Sequence, residues 1–278
     1  MSVKRLSDTT IAEYEGIALA LAEAGGAVLR HFWGNLHEIQ DKELLGDLVT
    51  EADKESEKRI LSLLHDFCPS HEVLAEESGK HAASHAEFLW VIDPLDGTTN
   101  YSHQYPVAAV SVALLYHGAP VVGVIYNPMQ QELFKASLGK GATLNDRSIA
   151  VSTTKTLAQS LLVSGFAYDR RQTSDNNYDE FCHLTDLTHG VRRTGSAALD
   201  MAYVAAGRFE GYWERGIKAW DVAAGALLVQ EAGGMVSAYD GSAADLYSGK
   251  IMATNGLIHK ELSDELGKIR QKQMNKKS

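Results

Sequence analysis

With 278 residues, 45% of them hydrophobic, the chain is long enough to bury a sizeable core without disulfide staples. Its formal net charge of -10 disfavours a nucleic-acid backbone as partner, and it equally repels any phosphate ligand unless positive charge is supplied at the site. The two cysteines, Cys68 and Cys182, form neither a disulfide framework nor a Cys-x-x-Cys pair, and no apolar run approaches the roughly 20 residues of a membrane span, so a cytoplasmic, unsecreted protein with no membrane contact is expected.

Apolar residues from Ile11 through Tyr14, Ile17, Leu21, Val28 and Phe32 recur mostly at spacings of three and four, which predicts an amphipathic helix closed by Trp33-Gly34. A second helix is predicted after Val49, with Thr50 as N-cap, carrying Ile60, Leu61 and Leu64 until Pro69 stops it. The period then changes. Residues 88–92 read as a buried strand, and residues 107–116 and 121–126 flank a His117-Gly118-Ala119-Pro120 turn, a β-meander continued by residues 132–136. Next come a strand at 161–165, a helix at 177–187 and an alanine-rich helix at 197–206. A strand at 209–213 leads to a helix at 221–232 ended by Gly233-Gly234, then a strand at 251–253 and a last helix from about Leu257. With no repeat, low-complexity tract or linker, this alternation predicts a layered α/β (α+β) sandwich of helices and mostly antiparallel sheet. It is expected to form one domain over residues 1–278, divisible at about residue 150 into subdomains with the active site between them.

The most informative string is Asp93-Pro94-Leu95-Asp96-Gly97-Thr98-Thr99-Asn100, directly after the strand predicted to end at Ile92. Two carboxylates three residues apart, braced by Pro94, can converge on hard divalent cations that prefer oxygen ligands. Gly97 lets backbone amides approach an anion closely, and successive N–H groups with the Thr98 hydroxyl can hold phosphate oxygens. Taken alone, the string is equally a polar turn. Two further acidic sites occupy comparable places: Glu76-Glu77-Ser78-Gly79 follows the apolar stretch 73–75, and Trp220-Asp221 opens a helix. Each has a plain explanation, Glu76 as a solvated loop residue and Asp221 as an N-cap.

Read together, Ala75-Glu76-Glu77-Ser78, residues 93–100 and Trp220-Asp221-Val222-Ala223-Ala224-Gly225 resemble the inositol monophosphatase family. That family's signatures are a GEES-like acidic pair, D-P-[IL]-D-G-T-T-N and a late W-D-x-A-A-G, and order and spacing fit from about Gly46 to Gly234. The resemblance implies a layered phosphatase fold, Mg²⁺-dependent hydrolysis of a small polyol phosphate such as myo-inositol 1-phosphate, lithium sensitivity and a homodimer. It implies Glu76, Asp93 and the Leu95 carbonyl as ligands of one Mg²⁺, Asp93, Asp96 and Asp221 as ligands of a second, and a weaker third Mg²⁺ near Glu76. Gly97 and Thr98 are implied to hold the phosphate. In Gly46-Asp47-Leu48-Val49-Thr50-Glu51-Ala52-Asp53, similar to the family's D-L-V-T-x-x-D, Asp53 is implied to bond the Thr98 hydroxyl and help activate the attacking water. Asp53 is also a capping-box acid three residues after Thr50, and the two roles are compatible.

By the same resemblance Asp96, Gly195, Ser196, Ala197, Glu214 and Asp221 face the polyol, although Glu214 reads equally as an exposed strand-end charge. Animal members carry a serine where this chain has Gly165-Phe166, which puts strict inositol specificity in question. Fructose 1,6-bisphosphate, histidinol phosphate and 3′(2′),5′-bisphosphate nucleotides are alternative substrates, and a regulatory binding protein that keeps the fold is an alternative class. The chemistry itself is independent of the name. Phosphate monoester cleavage is slow unassisted, and its barrier falls chiefly through positioning and neutralising charge on the phosphoryl group, so no protein nucleophile is required. Consistently, the chain has no G-x-S-x-G elbow and no P-loop string.

Four other features carry plainer readings. His81 and His85 have a metal-compatible spacing but form only a pair. Gly139-Lys140-Gly141 reads as a turn between strands rather than a phosphate loop, and Arg192-Arg193 as a structural or interface ion pair as readily as a phosphate contact. The basic cluster of Arg270, Lys272, Lys276 and Lys277 reads as a solvated helix end.

Overall fold

In the computed structural model, which describes residues 6–42, 44–80 and 87–275, the apolar spacing near the N-terminus becomes helix α1 (Asp8–Phe32). Ser7 caps it by accepting the Thr10 N–H at 3.1 Å, with Asp8 in the first turn and Arg30 and His31 in the last, as the helix dipole favours. The short hairpin β1 (Ile39–Asp41) and β2 (Leu48–Thr50) leads into α2 (Glu51–Phe67), which starts at the capping box of Thr50 and Asp53. Then follow β3 (Glu72–Ala75), β4 (Gly79–Lys80), β5 (Phe88–Asp96), the short α3 (Thr98–Ser102), β6 (Ala109–Tyr116), β7 (Ala119–Asn127), β8 (Glu132–Ser137), β9 (Ala142–Leu144) and β10 (Arg147–Ile149). The remainder is β11 (Leu161–Ser164), α4 (Tyr178–Leu187), β12 (Gly190–Arg192), α5 (Ala197–Ala205), β13 (Gly211–Arg215), α6 (Ala219–Glu231), β14 (Met235–Ser237), β15 (Lys250–Thr254) and α7 (His259–Asn275).

The strands form an eight-stranded sheet in the order β10-β9-β8-β7-β6-β5-β3-β4 and a five-stranded sheet in the order β12-β11-β13-β15-β14. In the larger sheet β3 and β5 run parallel and the other neighbours antiparallel, as expected. The smaller sheet is mixed, because β11 pairs in parallel with both β12 and β13. Burial defines five layers. Apolar faces of α1 and α2, including Leu21, Leu29, Ile60 and Leu64, cover one side of the larger sheet. Helices α5 and α6 fill the space between the sheets, and α4 and α7 close the far side of the smaller one through Leu184, Leu262 and Leu266. The layered α/β sandwich expected from the sequence is therefore the fold.

Three local differences have physical causes. β5 does not stop at Ile92: it continues to Asp96 across a register shift between Asp93 and Asp96, where Pro94, lacking an N–H, is accommodated. The β6–β7 turn is only His117-Gly118, both at positive φ (47° and 83°), because Ala119 and Pro120 already pair with Tyr116 and Leu115. Helix α6 begins two residues before Asp221, so Asp221 is not its N-cap; its carboxylate instead accepts the Lys218 N–H at 2.6 Å from the first turn. Gly139-Lys140-Gly141 is the β8–β9 turn, and the N–H groups of both glycines donate to the Glu231 carboxylate at 2.8 Å. His81, His85, Lys276 and Lys277 lie outside the described residues. Among the described residues, no helix is long and apolar enough to cross a membrane.

Candidate active site

The sheet order brings the end of β5, the turn after β3 and the first residues of α3, α5 and α6 to one cleft of about 300 Å³. Its walls include Glu76, Asp93, Leu95, Asp96, Gly97, Thr98, Gly195, Ser196, Ala197, Glu214 and Asp221, so nearly every predicted site residue converges here. Asp53 lies just behind, fully buried, and reaches the cleft through Thr98. A larger groove of about 820 Å³ between α1 and α2, lined by residues such as Val28, Phe32, Lys54 and Arg59, gathers no comparable constellation.

Glu76, Asp93, Asp96 and Asp221 reach the cleft from three places, the turn after β3, the end of β5 and the first turn of α6, and the last three have a raised proton affinity. Burial, then the charges of Glu76, Asp96 and Asp221, push the Asp93 carboxyl well up. Asp221 is likewise raised by burial and by Asp96 and Glu76, while Asp96 reaches about 6 because burial outweighs its hydrogen bonds. Each is engaged by a nearby donor. The Leu95 N–H lies 2.9 Å from Asp93 Oδ1; Ser196 Oγ and the Ala198 N–H reach Asp96 Oδ2 at 2.5 and 2.8 Å. Lys42 Nζ bridges Glu76 and Glu77 at 2.8 and 2.6 Å, and this pairing, against the opposing effect of burial, raises the lysine. With the carboxylates turned to these donors, no group of three or more acidic, histidine or cysteine side chains among the described residues is set in ligating geometry. The donor chemistry nevertheless fits hard divalent cations: carboxylates and the Leu95 carbonyl supply oxygen alone, and their mutual repulsion is what a cation would relieve.

Asp53 makes both of the contacts its sequence context implied, the capping box and the bond to Thr98. Its Oδ2 accepts the Thr50 N–H and hydroxyl at 2.8 and 2.6 Å, which starts α2, while its Oδ1 lies 3.0 Å from Thr98 Oγ1. Burial lifts its carboxyl to about 6 despite these bonds. The Thr98 hydroxyl also lies 3.0 Å from the Leu95 carbonyl oxygen, so its one proton has two acceptors and its lone pairs remain available. Gly97 takes φ 92° at the start of α3, and a Cβ there would stand 2.9 Å from the Val107 carbonyl oxygen. Only glycine fits this corner.

Glu214 is not an exposed strand-end charge. It points from β13 into the cleft, accepts the Tyr212 hydroxyl at 2.9 Å, and burial carries its carboxyl to about 7. Arg193 also lines the cleft, where its charge acts on Asp200 and Glu214. Sequence reasoning missed Lys42, Glu57, Tyr168 and Asp200. Glu57 alone carried a signal, standing one helical turn after Asp53; its Oε2 accepts the Glu77 N–H at 2.9 Å and so fixes the acidic turn. Asp200 is buried against the Thr194 hydroxyl, while Lys42 comes from a loop and Tyr168 from a short 3₁₀ turn, neither of which has a periodic pattern.

The chain is similar to known proteins along most of its length. The Inositol monophosphatase family model matches residues 11–275. The chain is 58% identical over 250 residues to the inositol-1-monophosphatase of Synechocystis sp., covering 90% of this chain and 87% of that protein. It is 44% identical over 251 residues to Nus factor SuhB of Pseudomonas aeruginosa, covering 88% and 93% respectively. The solved inositol monophosphatase from Anabaena sp. superposes with a TM-score of 0.87 at 54% identity, covering 93% of this chain and 97% of that one.

Proposed function

The chain belongs to the inositol monophosphatase family and is a phosphoric monoester hydrolase; from that premise we propose that it uses Mg²⁺ to hydrolyse small polyol phosphates, myo-inositol 1-phosphate first among them. The observation that carries this reading is the convergence of Glu76, Asp93, Asp96 and Asp221 on one cleft with the Asp53–Thr98 hydrogen bond at its base. Glu76, Asp93 and the Leu95 carbonyl would hold one Mg²⁺ and Asp93, Asp96 and Asp221 a second, with a third weaker ion near Glu76. Bound there, the ions would neutralise charge on the transferring phosphoryl group and acidify the attacking water.

The protein's own groups have separate tasks. Gly97, whose conformation exposes backbone N–H groups at the start of α3, and Thr98 hold the phosphate oxygens. Asp53 Oδ1 and Thr98 Oγ1 form the relay that accepts a proton from water as its oxygen bonds to phosphorus, while the ester P–O bond breaks and the departing alcohol oxygen takes a proton from solvent. Gly195, Ser196, Ala197 and Glu214, with Asp96 and Asp221, line the polyol side, and the Ser196 bond to Asp96 ties the two functions together. We further propose a cytoplasmic homodimer inhibited by lithium, as in the family.

Phosphate release from inositol, sugar, histidinol and nucleotide phosphates, with Mg²⁺ and after chelation, tests the proposal. Activity is expected to vanish on chelation, return with Mg²⁺ and favour the inositol ester; full turnover in metal-free buffer would overturn the mechanism. The 44% identity to a protein named Nus factor supports a second reading, a regulatory role beside catalysis, tested by affinity capture of stable macromolecular partners.

A further inference from the structure

Beyond β11 the chain crosses the cleft mouth as residues 165–167 and then makes a single 3₁₀ turn, Tyr168–Arg171. This crossing is held on the β13 side at three points. A Cβ on Gly165 would overlap the Glu214 carboxylate, and one on Gly216 would overlap the Ala167 Cβ, so each segment packs a side chain against a glycine of the other. Asp169 then makes a bidentate ion pair with Arg215, at 2.7 and 2.9 Å. Tyr168 is thereby fixed between anchors at 167 and 169, and its side chain lines the cleft while the residue remains 40% exposed.

The surroundings of this phenol define what it can do. Burial raises its proton affinity, and the charges of Asp47, Glu76, Asp96 and Asp221 raise it further, so the hydroxyl stays protonated and can donate. The polyol side of the cleft presents carboxylates that accept when ionised, Glu214 and Asp96 among them, with the Arg193 guanidinium as a charged donor beside them. Every hydroxyl of a polyol both donates and accepts, so its several lone pairs call for further donors beside the carboxylates. A neutral donor at the mouth complements them.

We propose that Tyr168 is a specificity-determining residue of this site: its hydroxyl, held over the cleft by the turn anchored through Asp169 and Arg215, hydrogen-bonds the polyol of the substrate and favours polyhydroxylated esters. The inference rests on the phosphatase reading above and names what that reading leaves open, the group that recognises the leaving alcohol from the outer wall.

The test compares wild type with Tyr168→Phe on myo-inositol 1-phosphate and on p-nitrophenyl phosphate, whose leaving group carries no further hydroxyl. The expected result is a KM higher by about 3- to 10-fold on the inositol ester, the scale of one neutral hydrogen bond, with kcat and the Mg²⁺ activation midpoint unchanged. On the aryl ester both constants should match wild type. An unchanged KM on the inositol ester, or an equal change on both esters, would overturn the assignment. Wild type that releases no phosphate from either ester would overturn the phosphatase reading itself and this inference with it.

Discussion

The two walls of the cleft are built by different rules. The wall from the larger sheet is a continuous strand–turn–helix, residues 88–102, in which Asp93, Leu95, Asp96, Gly97 and Thr98 follow one another and Asp53 and Glu76 buttress it from adjacent elements. The wall from the smaller sheet is assembled from the segment around Tyr168, the start of α5, and Glu214 on β13, which are separated by tens of residues. Placing charge around a phosphoryl group tolerates little displacement, and a short covalent frame keeps it fixed. Recognising an alcohol needs only surface complementarity, so its residues can be gathered from separate elements and exchanged singly. Substitutions in the first wall should therefore act on every substrate through metal binding or kcat, and those in the second on KM in a substrate-dependent way.

Asp93→Asn should separate the walls most sharply. Removing the charge placed between both proposed Mg²⁺ positions is expected to lower activity by several orders of magnitude on every ester and to weaken Mg²⁺ activation. A Mg²⁺ titration of phosphate release checks it, and a loss confined to one substrate would break the distinction. Asp53→Asn should leave the Mg²⁺ midpoint near wild type yet reduce kcat by about 10²–10⁴-fold, the usual scale of acid–base assistance. Because Asp53 also completes the capping box, the variant should lose about 0.5–2 kcal/mol of stability, and thermal unfolding beside kcat reads the two roles separately. A normal kcat with lowered stability would leave Asp53 only its capping role.

Glu57→Ala should leave the Glu77 N–H without its buried acceptor, a loss of about 1–3 kcal/mol of stability, and loosen the turn that presents Glu76. The expected signature is a raised Mg²⁺ midpoint on all esters alike. On the opposite wall, Glu214 makes a pH-dependent contribution whose sign is fixed by its raised carboxyl, about 7 against an ordinary 4.5. Its stabilising contribution is whole below the ordinary value and is lost as pH rises through the folded one. Metal-free Glu214→Gln should thus unfold like wild type in acid, yet roughly 2–4 °C higher at pH about 8, the shift of about 1 kcal/mol in a chain of this size. Thermal scans at the two pH values check this, and KM for the inositol ester should rise while the aryl ester is unaffected.

What could be read in advance follows the same division. The capping box at Thr50 and Asp53, the buried run before Asp93 and the acidic strings were legible because each depends on neighbours within a few residues. Their spacing imposes a helix start or a strand end whatever lies elsewhere. The extension of β5 to Asp96 was not legible, because β6 across the register shift supplies the pairing that tolerates Pro94. Nor was the start of α6, where Lys218 rather than Asp221 is the cap.

The sequence by itself determined the layered fold, the acidic strings and the tight corner at Gly97, since a local run of residues can carry backbone geometry and charge. Tertiary structure alone decided that Lys42 would sit between Glu76 and Glu77, that Glu57 would hold the acidic turn, and that Tyr168 would face the cleft. Those relations join residues far apart in the chain, and a contact across that distance exists only once packing of the two sheets through α5 and α6 has fixed where each loop ends.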